Sequence, residues 1–187
     1  MKIRQILFAL AFITPLLTLP IDGLLSSPEE FTVLSPEVNN DWTPGSEWVD
    51  WRNGEAYSTA KFGEAVWMTV NFKGASKQMS YIEAEMSAPE GWRLPTSDEW
   101  NKLLERTGFL SDPNQIIPED YYLFNFESEG YKDPLMGRIG VNQVGFFWVK
   151  SLNKEIGNYI SVPNRELRYN HGKISTTAEM AVRYVKD

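Results

Sequence analysis

The stretch Pro89-Glu90-Gly91-Trp92-Arg93-Leu94-Pro95-Thr96-Ser97-Asp98-Glu99-Trp100 constrains this chain more than any other. Pro95 sets the angle at which the chain enters a helix. Thr96 can accept hydrogen bonds from the free N–H groups of that helix, and Glu99, three residues on, completes a capping box. Asp98 and Glu99 also suit the positive end of the helix dipole. Trp100, Leu103 and Leu104 recur at i, i+3, i+4, the spacing of a buried stripe. Gly108 is the expected stop. Just upstream, Gly91 permits an unusual backbone angle, and Trp92 and Leu94 are expected to pack beside Trp100. Arg93 and Arg183 are candidates for ion pairs with Asp98, Glu99 or Asp187.

Elsewhere the chain reads as short strands. Asp50 to Tyr57 sets Asn53-Gly54 between apolar flanks, the signal of a tight hairpin whose two central residues take positive φ. Tyr57 to Phe62 reads as a strand that turns at Gly63. Val66, Met68, Val70 and Phe72 alternate with Trp67, Thr69 and Asn71, a period-2 strand with one large ring on its other face. Lys73 to Met79 is turn-like and Tyr81 to Met86 a short helix. Proline and glycine break up Ser111 to Asn142, an excursion with one strand at Tyr121 to Phe126. Phe146 to Val149, Tyr159 to Val162 and Glu166 to Tyr169 read as further strands. Asn170-His171-Gly172 reads as a turn into Lys173 to Ser175, and Ala181 to Val185 as a closing strand. One or two helices with several short antiparallel strands make an α+β domain, its ring-rich segments expected to pack round a single interior.

The N-terminus carries a different pattern. Lys2 and Arg4 precede an almost wholly apolar run from Ile6 to Leu19. That is the length and polarity of an export signal; it is short for a spanning helix, which Pro15 would disturb. A buried N-terminal helix and an uncleaved anchor are the alternative readings. The signal is expected to occupy residues 1–23, an extended Pro- and Ser-rich leader 24–47, and the domain 48–187. Within the leader, Phe31, Val33 and Leu34 would form a strand or dock on the domain. Removing residues 1–23 takes away Lys2, Arg4 and Asp22 and moves the net charge from −7 to −8.

Composition removes several functions. The chain has no cysteine, hence no disulfide, no thiol nucleophile, no thiolate metal site and no lipid attachment through cysteine. A single histidine, His171, cannot form a multi-histidine metal site within one chain. A net charge of −7 disfavours nucleic acid and anionic membrane as partners. No cofactor is expected.

Four segments, in order, resemble the Fibrobacter succinogenes major paralogous domain family. They are Asp50 through Gly54, Tyr57 and Gly63 to Trp67-Met68 and Asn71; Pro89 to Thr96 with Glu99, Trp100 and Leu103; Gly145-Phe146-Phe147-Trp148; and the terminal Ala181 to Asp187. The second is also similar to the formylglycine-generating-enzyme and sulfatase-modifying family. The resemblance, over about residues 48–187, implies a C-type-lectin-like fold with Trp67, Gly91, Trp92, Leu94, Pro95, Glu99, Trp100, Trp148 and Arg183 as its structural signature. It also implies a departure. Where relatives carry a pair of cysteines, this chain has Ala88 and Tyr184. The disulfide so lost would have contributed about 4–5 kcal/mol in the entropy model. The Trp-Ser-Ser pattern of relatives is here Trp148-Val149-Lys150-Ser151. Oxygen-dependent activity of the formylglycine type depends on copper-binding cysteines and does not carry over.

Among chemical groups, His171 reads as an exposed, solvated side chain, with a lone general base the sharper alternative. Glu83 with Glu85, Glu119 with Asp120, and Glu127 with Glu129 are local carboxylate pairs, read as solvated surface unless two face one cleft. Asp41, Asp50 and Asn53 lack the oxygen spacing of a calcium loop. Trp67, Trp92, Trp100 and Trp148 are expected in the core. Trp51, Tyr121, Tyr122 and Tyr131, with Arg138, are the expected ligand-binding residues, on the ground that loops on a rigid scaffold carry recognition. The resulting expectation is an exported, non-enzymatic, lectin-like module that binds a glycan or a protein at the bacterial cell envelope. A structural or adhesive, fimbria-like protein using the leader as its interaction strand is the first alternative. A hydrolase working through a carboxylate pair is the second. The oligomeric state is open.

Overall fold

Both helices begin where a side chain holds their free N–H groups. α1 (Tyr81–Met86) follows Ser80 and α2 (Ser97–Arg106) follows Thr96; in each, the cap oxygen accepts from the N–H three residues on and Glu83 or Glu99 reaches back to the cap N–H. The computed structural model describes residues 42–107, 124–164 and 168–187, with only the backbone of Trp42 and Pro44. The expected signal, residues 24–41 of the expected leader, the helix stop at Gly108 and the Glu119–Asp120 pair lie outside the described residues. So do residues 121–123 and 166–167 of two expected strands. α2 ends on Thr107, whose hydroxyl donates to Leu103 O at 3.0 Å.

The strands are short and antiparallel. β1 (Trp42–Pro44), β4 (Thr59–Phe62), β5 (Ala65–Met68) and β11 (Val185–Lys186) form one sheet in the order β1-β4-β5-β11. β8 (Val144–Val149), β9 (Ile156–Pro163) and β10 (Asn170–Ser175) form a second, with β9 central. β2 (Trp48–Val49) pairs with β3 (Ala56–Tyr57), and β6 (Tyr131–Asp133) with β7 (Gly137–Ile139). The α+β class is therefore the observed one.

The C-terminal segment joins these sheets. Met180 exchanges backbone hydrogen bonds with Met79, Ala181 N donates to Phe146 O, Phe72 N to Val182 O and Met68 N to Tyr184 O. Val185 exchanges a pair with Arg93. Each residue serves a different neighbour, so the expected strand over Ala181–Val185 is confined to Val185–Lys186 plus isolated bridges. A chain handed from one sheet to another cannot build a ladder on either.

The same arrangement divides the interior. Trp92, Trp100 and Trp148 are all buried, but in two clusters. Met68, Phe72, Trp92, Leu94, Trp148 and Tyr184 belong to the first; Trp67, Trp100, Leu103, Phe147, Val149 and Val185 to the second. Adjacent residues Trp67/Met68 and Phe147/Trp148 fall on opposite sides because side chains alternate along a strand. The expected single interior is thus two cores, and Trp92 and Leu94 pack apart from Trp100. Within the cores Trp67 meets Trp100 edge-on at 5.1 Å and Tyr81 meets Trp148 edge-on at 5.4 Å. Trp148 Nε1 donates to Met79 O at 2.8 Å.

Several local features differ from expectation. The hairpin loop is Asp50–Glu55, longer than an Asn-Gly turn. Gly54 takes φ 77° but Asn53 does not have positive φ; its side chain instead accepts from Glu55 N. The alternating strand stops at Met68, after which Thr69 turns to bond Ser58 O, although Val70 and Phe72 still face the first core. Neither Phe124–Phe126 nor Arg168–Tyr169 is strand. Asn170–Gly172 is not a turn but the start of β10, paired along its length with β9. Gly172 is needed there because the Tyr159 ring occupies the place a Cβ would take.

Candidate binding cleft

Two arginines of the signature segments take opposite roles. Arg93 donates to Glu99 at 2.8–2.9 Å and to Asp187 at 2.5 Å, joining the entry of α2 to the chain end. Burial works against the Glu99 carboxylate, but hydrogen bonds from Arg93 and Thr96 outweigh it and hold the pKa at about 2. Arg183 makes no such pair, contrary to expectation. It is fully buried, with Nε donating to Asn71 Oδ1 at 3.1 Å and Nη2 to the Asn125 carbonyl. Its guanidinium lies 5.1 Å from the Phe126 ring centre and 5.4 Å from that of Phe147. Burial pulls its pKa down to about 9, while the negative charge of Glu127 acts in the opposite sense.

Arg183 orients the site in front of it. A guanidinium only donates, so Asn71 must turn Oδ1 inward and Nδ2 the other way. Asn71 lines a chamber of roughly 260 Å³ with Tyr57, Phe72, Lys73, Lys77, Glu127 and Glu129. Its Nδ2 is buried and has no acceptor among the described residues. A second chamber, roughly 600 Å³ and more open, is lined by Lys77, Gln78, Glu127, Ser128, Glu129, Arg138 and Asn142 among others. Gln78 Nε2 donates to Gly130 O at 2.8 Å, which leaves Oε1 buried and without a donor among the described residues. Ser128 Oγ is likewise without a partner. Lys77, Glu127 and Glu129 line both chambers and form the bar between them.

The bar has unusual electrostatics. Glu129 is pushed above the ordinary carboxyl range, first by burial and then by the charge of Glu127 and a hydrogen bond shared with it. Lys77 Nζ, 3.6 Å from Glu129, pulls the other way but is itself 76% exposed. Asn125 Nδ2 donates to Glu127 Oε1 at 3.1 Å and fixes that side chain. The backbone is held as well, by Asn142 N to Ser128 O and Gly130 N to Val144 O.

Only part of the expected site lies here. Arg138 lines the larger chamber. Trp51 stands on the hairpin loop, 80% exposed, and Tyr131 is half-buried against Phe146 at 4.8 Å; neither lines the cleft. Tyr121 and Tyr122 lie outside the described residues. The other carboxylate pair described is structural, since Glu83 caps α1 and Glu85 accepts from Tyr81 OH. His171 sits on β10, with Nε2 2.7 Å from Asn101 Oδ1. Sequence reasoning misses Lys77, Gln78, Ser128 and Asn142 altogether. The Glu127–Glu129 spacing is visible in the sequence, but nothing local tells a cleft from open surface. No family model, curated protein or solved structure matches the chain.

Proposed function

We propose that this chain is an exported, non-catalytic recognition module of C-type-lectin-like fold that holds a glycan in the cleft around Glu127 and Glu129. The observation that carries the reading is the buried Asn71 Nδ2 and Gln78 Oε1, one oriented donor and one oriented acceptor, left without partners beside that cleft. Buried polar groups are normally paired, and an unmade hydrogen bond costs about 1–3 kcal/mol. Sugar hydroxyls both donate and accept, so they complete such a mixed set. The apolar run Ile6 to Leu19 behind Lys2 and Arg4, read as an export signal, supports placement at the envelope. The burial of Trp67, Trp92, Trp100 and Trp148 supports the fold reading, while their division between two cores departs from the single interior on which it was expected to rest. It gains from the shared core of Tyr184 and Ala88, where Tyr184 OH donates to Ala84 O in place of a disulfide.

One observation favours a second reading, hydrolysis, because Glu127 and Glu129 do face a common cleft. Their shared hydrogen bond argues against it. Glycosidase carboxyls stand about 5–9 Å apart to admit a sugar carbon or a water between them. Two carboxyls in contact leave no such room.

A glycan array probed with the secreted protein tests the proposal. Binding should be lost in Glu127→Gln and Asn142→Ala and kept in Trp51→Ala. Absence of binding to every glycan, or loss that follows Trp51 alone, would overturn it.

A further inference from the structure

We propose that the glycan is acidic, its carboxylate taken by Arg138 and its hydroxyls read by Asn71, Gln78 and Glu127; this rests on the cleft being a glycan site. Arg138 lies on β7 directly across the ladder from Lys132. Like charges in that position repel. Lys132 is relieved by Glu179 at 2.6 Å. Arg138 has no carboxylate partner among the described residues, yet it lines the larger chamber. The Arg138 guanidinium is therefore available to an anionic ligand at the mouth of the larger chamber.

The rest of the cleft agrees. Lys73 and Lys77 line it with Arg138, against the two carboxyls of Glu127 and Glu129. By formal charge Lys73, Lys77 and Arg138 outnumber Glu127 and Glu129 in the cleft, on a protein that is otherwise acidic. An anionic ligand is repelled from most of the surface and drawn to this one place. The planar fork of a guanidinium matches the two oxygens of a carboxylate.

The test uses oligosaccharides of alginate, polygalacturonate and polysialic acid, each beside its carboxyl-reduced counterpart, with neutral glucans and galactans, in titration calorimetry. At least one acidic form should bind about tenfold or more tightly than its reduced form. That preference should vanish in Arg138→Gln and shrink in Arg138→Lys. It should also weaken as NaCl rises from about 50 to 500 mM. Arg138 is exposed, so these variants should keep the wild-type melting temperature. Equal binding of acidic and neutral forms, or a preference indifferent to Arg138, overturns the acidic assignment and leaves the glycan reading standing. Failure of every oligosaccharide to bind removes both.

Discussion

The entry of α2 and the wall of the cleft are both polar and both built round an arginine, yet they are finished differently. At α2, Arg93, Thr96, Glu99 and Asp187 satisfy one another. At the cleft, Arg183 is satisfied only in part, and Asn71, Gln78 and Ser128 keep buried atoms without partners. A closed polar network stabilises the fold and needs nothing further. An open one, held rigid by its backbone, leaves hydrogen bonds for something else to make. The contrast is one of networks and not of whole elements, since Trp100 Nε1 and Arg106 Nε on α2 are also buried and unpartnered among the described residues.

The largest expected effect comes from removing the buried cation. Arg183→Ala would leave Asn71 Oδ1 and the Asn125 carbonyl without donors and open a cavity, at a cost of about 3 kcal/mol in urea unfolding. Arg183→Met keeps most of the packing and should cost less. If both variants unfold like the wild type, the cleft wall does not rest on Arg183.

Next comes the closed network. Glu99→Gln should cost about 1–2 kcal/mol, since it weakens both the capping box and the pair with Arg93. The sign of its pH dependence is set by a folded pKa of about 2, below the ordinary glutamate value of 4.5. The ionised form stabilises the protein above pH 4.5, and that contribution is lost as pH falls from there towards 2. Unfolding followed across that window should show a shallower acid slope in the variant.

The smallest effect has the opposite sign. Glu129 is raised in the folded state, so its contribution is present below the unfolded pKa and lost as pH rises through the folded one. Glu129→Gln should therefore stabilise the protein by about 0.5 kcal/mol at pH 7. Thermal melts should show the gain disappearing below the ordinary glutamate pKa of 4.5. A loss at pH 7 would mean that the carboxyl pair belongs to the fold rather than to the cleft.

Much of the scaffold is legible because its signals are local. The capping boxes, the amphipathic stripe of α2, the alternation through Trp67 and Met68, and the burial of four signature tryptophans all follow from periods of 3.6 or 2 and from short-range side-chain hydrogen bonds. The cleft is not local in this sense. Asn71, Gln78, Glu127 and Glu129 come from separate loops and Arg138 from β7, and Arg183 reaches Asn71 from the far end of the chain.

Periodicity says which face of a strand is apolar, not what will cover it. So the sequence alone could place rings inside but could not say that there are two cores, that the C-terminal segment passes between the sheets, or that His171 lies in a strand. Those outcomes depend on which backbone groups find each other across a hundred residues. Only the assembled tertiary structure makes that choice, because each buried N–H and C=O must find a partner somewhere and the nearest in space is seldom the nearest in sequence.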